Sequence, residues 1–188
     1  MIAWHALVPI KQGANGKSRL ASVLSREERD ALALRMARHV LAELQNCAAI
    51  AEIAILSTHR PEWWPGNSVE DRGQGLNTEL AAWRRSVGKV AVLIVHADLP
   101  LLRATEVDEL LAVAAAQGIA LATDRAGEGT NALAICDGRP FEFRFGPASR
   151  SLHTAQTDEL AVLAPLGLAS DIDTPEDLAF ARANGFAG

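Results

Sequence analysis

Apolar positions along this 188-residue chain fall into short buried runs separated by stretches of helical spacing. Ile2 to Pro9 reads as a first strand. Lys11 to Leu20 is polar and glycine-bearing and reads as a loop. Ser25 followed by Glu28 has the form of a capping box, and Leu32, Met36, Val40, Leu41 and Leu44 then recur on one helical face. Ile53 to Ser57 is a second buried strand, followed by a loop over Thr58 to Gly75 with a short strand near Val69. Leu76 to Ser86 is helical, Val90 to Val95 is a strand, and Thr105 caps a helix running to about Gln117. Ile119 to Thr123 and Asn131 to Cys136 are two further strands with a glycine-rich turn between them. Phe141 to Phe145 alternates as a short half-buried strand, Pro147 to Gln156 forms a weaker helix, and a last helix begins after Asp173.

Strands alternating with helices imply an α/β architecture: a mainly parallel, doubly wound sheet covered on both faces. Ligands of such sheets bind outside the carboxyl ends of the strands. The Lys11 to Leu20 loop, Asp98, and the Asp171/Asp173 pair are all expected at that end. The chain shows no repeat, low-complexity tract or linker, so residues 1–188 read as one domain with a full core.

Composition narrows the classes. Hydrophobic residues make up 49% and charged residues 22%, as in soluble globular proteins. A net charge of -5 without a basic block argues against general affinity for nucleic acid or anionic membrane. The N-terminus lacks the pattern of a signal peptide, and no apolar run reaches the roughly 18 residues of a membrane span. Cys47 and Cys136 lack metal-ligand spacing, so a reduced, cytoplasmic protein is expected.

The sharpest chemical signal is Ser170-Asp171-Ile172-Asp173-Thr174-Pro175. Alternation in an extended segment turns Asp171 and Asp173 to one side, with Thr174 as N-cap and Pro175 as the first helical residue. Two carboxylates so placed repel unless a cation or hydrogen-bond donors neutralise them. Asp98, at the end of the Val90 to Val95 strand, supplies a third. Three hard oxygen ligands suit a divalent cation held against phosphates. Helix capping explains one such aspartate easily and three less well.

Three other segments carry candidate chemistry. Lys11, Lys17 and Arg19, with Ser18 among them, surround a loop whose backbone N–H groups suit a triphosphate. Gly16-Lys17-Ser18 looks like the end of a P-loop, but Lys11 stands where that motif needs glycine. In Asp71-Arg72-Gly73-Gln74-Gly75-Leu76-Asn77, the glycines allow close ligand approach, and Asp71 or Asn77 is suited to read a guanine edge. A plain turn before a helix explains the segment equally well. In Gly127 to Leu133 and Phe145 to His153, Thr130 and Ser149 are hydroxyl donors. Gly146 to Ser149 presents N–H groups at a helix start, and Arg150 and His153 add charge. Ordinary turn and cap chemistry is the competing reading. His5, His39, His59 and His96 read as structural, Trp4 and Trp83 as packing residues, and Trp63-Trp64-Pro65-Gly66 as core cover or subunit contact.

Together the segments resemble the CofC/FbiD family of guanylyltransferases of coenzyme F-420 biosynthesis. The matching stretches are Val8-Pro9 with Lys11, Lys17-Ser18-Arg19-Leu20, Gly75-Leu76-Asn77, Asp98-Leu99-Pro100, Gly129-Thr130-Asn131, Phe145-Gly146-Pro147 with Ser149 and His153, and Asp171-Ile172-Asp173-Thr174-Pro175. The resemblance implies a Rossmann-like nucleotidyltransferase (GT-A-like) three-layer sandwich. It implies transfer of GMP from GTP to phosphoenolpyruvate, 2-phospho-L-lactate or 3-phospho-D-glycerate. On that basis Asp98, Asp171 and Asp173 hold Mg²⁺ and, with Lys17, form the catalytic set. Lys11, Lys17, Ser18, Arg19, Asp71, Gly75 and Asn77 face the nucleotide, and Thr130, Gly146, Ser149 and Arg150 face the acceptor. Hand-over of product to a downstream F-420 transferase and a homo-oligomer are both compatible with the resemblance. The chain departs from the family at Ala148, where glycine is usual, and at Arg150, where an aromatic is usual. The alternatives are a related molybdenum-cofactor or sugar-phosphate nucleotidyltransferase, or a non-catalytic nucleotide-binding regulator. The first is disfavoured by Val8-Pro9-Ile10-Lys11 in place of a Leu-Ala-Gly-Gly-type loop.

Overall fold

The computed structural model describes residues 2–10 and 17–187, so the triphosphate contact expected of Lys11 lies outside the described residues. The elements in order are β1 (Trp4–Pro9), a 3-10 turn (Ser18–Ser22), α1 (Arg26–Gln45), β2 (Ile50–Ser57), β3 (Asn67–Glu70), α2 (Leu76–Val87) and β4 (Ala91–Val95). Then follow α3 (Ala104–Gln117), β5 (Ile119–Thr123), β6 (Thr130–Ile135), α4 (Ser149–Thr154), β7 (Ala161–Leu163), α5 (Leu166–Ala169) and α6 (Pro175–Ala183).

Local chemistry sets several boundaries. Ser25 Oγ accepts the Glu28 N–H at 3.2 Å while the Glu28 carboxylate accepts the Ser25 N–H at 2.7 Å, which starts α1 where the capping-box signature lies. Thr174 and Asp177 repeat the arrangement before Pro175 and start α6. The start of α3 differs from expectation: its cap is Arg103 instead of Thr105, because the Glu106 carboxylate accepts the Arg103 N–H at 3.1 Å.

The strands form one seven-stranded sheet in the order β3-β2-β1-β4-β6-β5-β7. All run parallel except β6, which is antiparallel to both β4 and β5. All five residues of β4 are buried, as expected for a strand covered on both faces. Leu93 and Val95 join the core that includes Val40, Leu41 and Leu44 of α1 and Leu110 and Leu111 of α3. Val92 and Ile94 face the other core, with Leu80 and Trp83 of α2 and Phe143 and Phe145. Trp4 and Trp83 are thus packing residues, and Trp64 covers the first core with its indole N–H donating to Asn67 O at 2.8 Å.

Three expectations change. Residues 141–145 do not form a strand. Side chains hold this backbone instead, with Arg84 donating to Phe141 O at 3.3 Å and to Arg139 O at 2.7 Å, so its polar groups need no ladder. The helix expected over Pro147 to Gln156 is only α4, because Gly146 and Ala148 adopt φ of 124° and 56° just before it. β7 and α5 were not foreseen; three and four residues are too few to show a period. Among the described residues no helix is long and apolar enough to cross a membrane.

Candidate functional site

Strand order reverses between β1 and β4, and crevices of this fold open where that happens. Lys17 follows β1 and Asp98 follows β4. A small third core of Leu20, Leu32, Met36, Ile172, Leu178 and Ala181 fastens the turn after Lys17 to α1 and α6. Ile172 is fully buried in it, so the flanking Asp171 and Asp173 face away from that core. The Ile172 N–H donates to Asp98 O at 3.2 Å, which ties the aspartate pair to the end of β4. One placement is corrected: the pair follows the helical turn α5, not a strand.

Lys17 sits in the left-handed region, at φ 52° and ψ 41°, a conformation a non-glycine residue adopts at a cost. That backbone geometry accompanies an ammonium group 2.5 Å from Asp98 Oδ2 and 2.8 Å from Asp173 Oδ1. Burial pushes the Lys17 ammonium down, but Asp98 and then Asp173 outweigh it and hold the pKa above its usual value. Burial likewise pushes the Asp98 carboxyl up, and Lys17 and His96 reverse this, leaving it below the carboxylate range. The other oxygen of Asp98, Oδ1, is buried without a hydrogen-bond partner among the described residues.

Asp171 behaves differently. Burial raises its carboxyl to about 6, the Asn131 hydrogen bond opposes this, and Asp98 and Asp173 add to the rise. Asn131 Nδ2 donates to both Asp171 Oδ1 and Leu168 O at 3.1 Å. Among the described residues, no three His, Cys, Asp or Glu side chains are gathered to hold a metal ion as they stand. The Lys17 ammonium lies between two of the three carboxylates. Among the described residues, one ammonium stands with three carboxylates, which leaves local negative charge that a further cation would offset.

The remaining expected residues take varied places. Ser18 and Arg19 are exposed at the start of the 3-10 turn. Gly75 caps α2 at φ 94°, and Asp71 accepts the Gly73 N–H at 2.9 Å. Asn77 is bonded to the Phe145 backbone: its Nδ2 donates to Phe145 O at 3.0 Å and its Oδ1 accepts the Phe145 N–H at 2.8 Å. The amide thereby clamps the loop at Phe145 to α2. Ser149 is buried at the first position of α4, after Gly146. Arg150 donates to Gly127 O at 3.0 Å, and its N–H donates to Glu128 O at 3.1 Å, so it joins α4 to the loop between β5 and β6. His153, expected to add charge, is fully buried, and burial pushes it down to about 4; it is neutral. Its Nδ1 lies 3.0 Å from Thr130 Oγ1.

Two site-shaping residues escaped the sequence reading. Glu79 is buried and accepts the Arg72 and Gln74 N–H groups at 3.0 and 3.2 Å, which shapes the 71–75 loop. Asn131 orients Asp171. A carboxylate beside Leu80 on the inward face of α2, and an amide at the start of a buried strand, were the available signals.

Over residues 4–183 the chain matches the family described as guanylyl transferase CofC like. A phosphoenolpyruvate guanylyltransferase of Sphaerobacter thermophilus is 39% identical over 186 residues, covering 92% of this chain and 89% of that protein. Another, of Streptomyces coelicolor, is 33% identical over 193 residues, covering 97% and 91%. A putative nucleotide-diphospho-sugar transferase structure from Desulfovibrio desulfuricans superposes with a TM-score of 0.74 at 15% identity, covering 100% of this chain and 90% of that one. CMP:2-keto-3-deoxy-manno-octonic acid synthetase superposes at 0.61 and 12% identity, covering 98% of both chains. These structural likenesses carry the fold, a Rossmann-like nucleotidyltransferase sandwich. With the match running through nearly every element described above, the chain belongs to the CofC-like guanylyltransferase family.

Proposed function

We propose that this protein moves GMP from GTP to a small phosphorylated three-carbon acid, with release of pyrophosphate, in coenzyme F-420 biosynthesis. The observation that carries the reading is the joining of Lys17, Asp98 and Asp173 at the strand-order reversal. The relatives' names favour phosphoenolpyruvate as acceptor; 2-phospho-L-lactate and 3-phospho-D-glycerate are the alternatives.

The donor set fits a hard divalent cation. It is all carboxylate, Asp98 Oδ1 has no partner among the described residues, and Asp171 is raised partly by its charged neighbours. Asp98, Asp171 and Asp173 would hold Mg²⁺ once the Lys17 ammonium moves toward phosphate. When bound, the ion offsets charge on the phosphates and on leaving pyrophosphate. Lys17, with Lys11, Ser18 and Arg19, binds the triphosphate, and the 71–75 loop shaped by Glu79 faces the base. Thr130, Gly146 and Ser149 orient the acceptor. An oxygen of the acceptor's phosphate attacks the α-phosphorus in line as the bond to pyrophosphate breaks. That oxygen is largely ionised at neutral pH, since the second pKa of a phosphomonoester is about 6, so no general base is needed. Positioning and electrostatic stabilisation supply the rate. The diphosphate-linked product is labile and suits direct hand-over to a downstream transferase.

The test is pyrophosphate release from GTP and Mg²⁺ with each of the three acids in parallel, with the downstream transferase and its deazaflavin acceptor trapping product. Release with one acid supports the reaction and names the acceptor. Folded protein that binds GTP but releases nothing with any acid overturns it.

A further inference from the structure

His153 lies on α4, is fully buried, and is not required as a base in the transfer just described. Its two ring nitrogens have different partners. Nε2 accepts the Arg144 backbone N–H at 2.9 Å, so it carries no proton. In a neutral imidazole the proton then resides on Nδ1. Nδ1 is 3.0 Å from Thr130 Oγ1, and with that proton it donates to the hydroxyl. Thr130 is consequently an acceptor toward His153, and its own O–H is directed elsewhere, as a donor.

The surroundings hold this tautomer. The ring packs edge-on against Phe145, 5.1 Å between centroids, and lies 5.6 Å from the Phe141 ring. Phe145 is itself pinned through its backbone by Asn77. A proton on Nε2 would set two N–H groups, that one and Arg144's, against each other. Thr130 starts β6, and β6 runs opposite to β4 and β5, so its first residue lies at the ligand end of the sheet. The next residue, Asn131, orients Asp171.

We propose that His153 is a positioning residue that, as the Nδ1–H tautomer, turns the Thr130 hydroxyl into a dedicated donor for the anionic acceptor. The inference rests on the reading of Thr130 as an acceptor-side residue. It explains why a buried histidine stands where a charge was expected: a neutral ring can fix a hydroxyl rotor without adding charge beside the phosphate.

Two substitutions separate the two ring contacts. An asparagine amide reaches about where Nδ1 stands, and a glutamine amide about where Nε2 stands. His153→Asn therefore keeps the donor to Thr130, whereas His153→Gln keeps only the acceptor for Arg144. With phosphoenolpyruvate as the varied substrate, His153→Gln should raise KM about tenfold, the cost of one lost hydrogen bond at a buried site. KM for GTP should not move. His153→Asn should stay within about threefold of wild type, even if both variants melt earlier. Equal kinetic loss in both variants, or a rise in KM for GTP matching that for the acceptor, overturns the proposal. ¹⁵N shifts of the imidazole give a readout independent of turnover. A protonated Nε2 at neutral pH overturns the proposal whatever the enzyme does. Absence of turnover in wild type, with the expected tautomer seen, instead counts against the proposed reaction and the ligand assigned to Thr130.

Discussion

At the scale of single residues, the site is a balance of charge and burial. Asp173 keeps about half of its side chain in solvent, at 49%. Asp173→Asn should cut turnover by on the order of a hundredfold or more. Its unfolding free energy should stay within about 1 kcal/mol of wild type, since Asp173 is half exposed and Lys17 keeps its second partner, Asp98. Parallel turnover assays and urea melts check both; full activity in the variant would remove Asp173 from the chemistry. His153 makes a prediction of another kind. Its folded pKa of about 4 lies below the usual 6.5, so below pH 6.5 the unfolded chain binds a proton that the folded chain refuses. Stability is therefore intact above pH 6.5 and lost as pH falls toward 4, by roughly 3 kcal/mol in all. Urea midpoints at pH 7 and pH 4.5 should differ more in wild type than in His153→Asn. The grouping of Asp98 and Asp173 with Lys17 was legible because acidic and basic residues stood at the ends of neighbouring predicted elements. Glu79 and Asn131 were not, because their partners are backbone groups and a carboxylate brought close only by folding.

At the scale of elements, short pieces hold the site more than long ones. α5 has four residues, yet Leu168 O receives Asn131, which in turn holds Asp171. Gly167 permits this close approach: a Cβ there would lie 2.4 Å from Leu101 O and 2.1 Å from Glu106 Oε2. Gly167→Ala should destabilise by about 1–3 kcal/mol and lower turnover by displacing Asn131, as a melting curve and a rate assay would show together. Ala148 is the opposite case. It holds φ 56° at the cap of α4, a position that glycine occupies without steric cost. Ala148→Gly should raise stability by up to about 1 kcal/mol, read as a higher urea midpoint. A lower midpoint would mean that the left-handed cap carries no strain. Long elements with capping signatures, α1 and α6, were readable in advance. The 141–145 segment alternates in burial like a strand yet pairs with none, because Arg84 and Asn77 bond its backbone.

At the scale of the molecule, a sheet covered on both faces keeps Lys17, Asp98 and the Asp171/Asp173 pair in register across a separation of up to 156 residues in sequence. Leu93, fully buried in β4 between β1 and β6, anchors that sheet. Leu93→Ala should cost about 2–5 kcal/mol, lowering the melting temperature while leaving KM values near wild type in the folded fraction. The amino-acid sequence alone determined the alternation of strands and helices, the main caps, the core stripes and the residues suited to phosphate. Those depend on local periodicity and side-chain chemistry, which the chain carries wherever it folds. Tertiary structure decided the antiparallel β6, the Lys17 bridge between Asp98 and Asp173, the neutrality of His153, and the use of Asn77 as a clamp. Each of these depends on groups distant in the chain meeting at low solvent exposure, where burial and partners set protonation and hydrogen bonding.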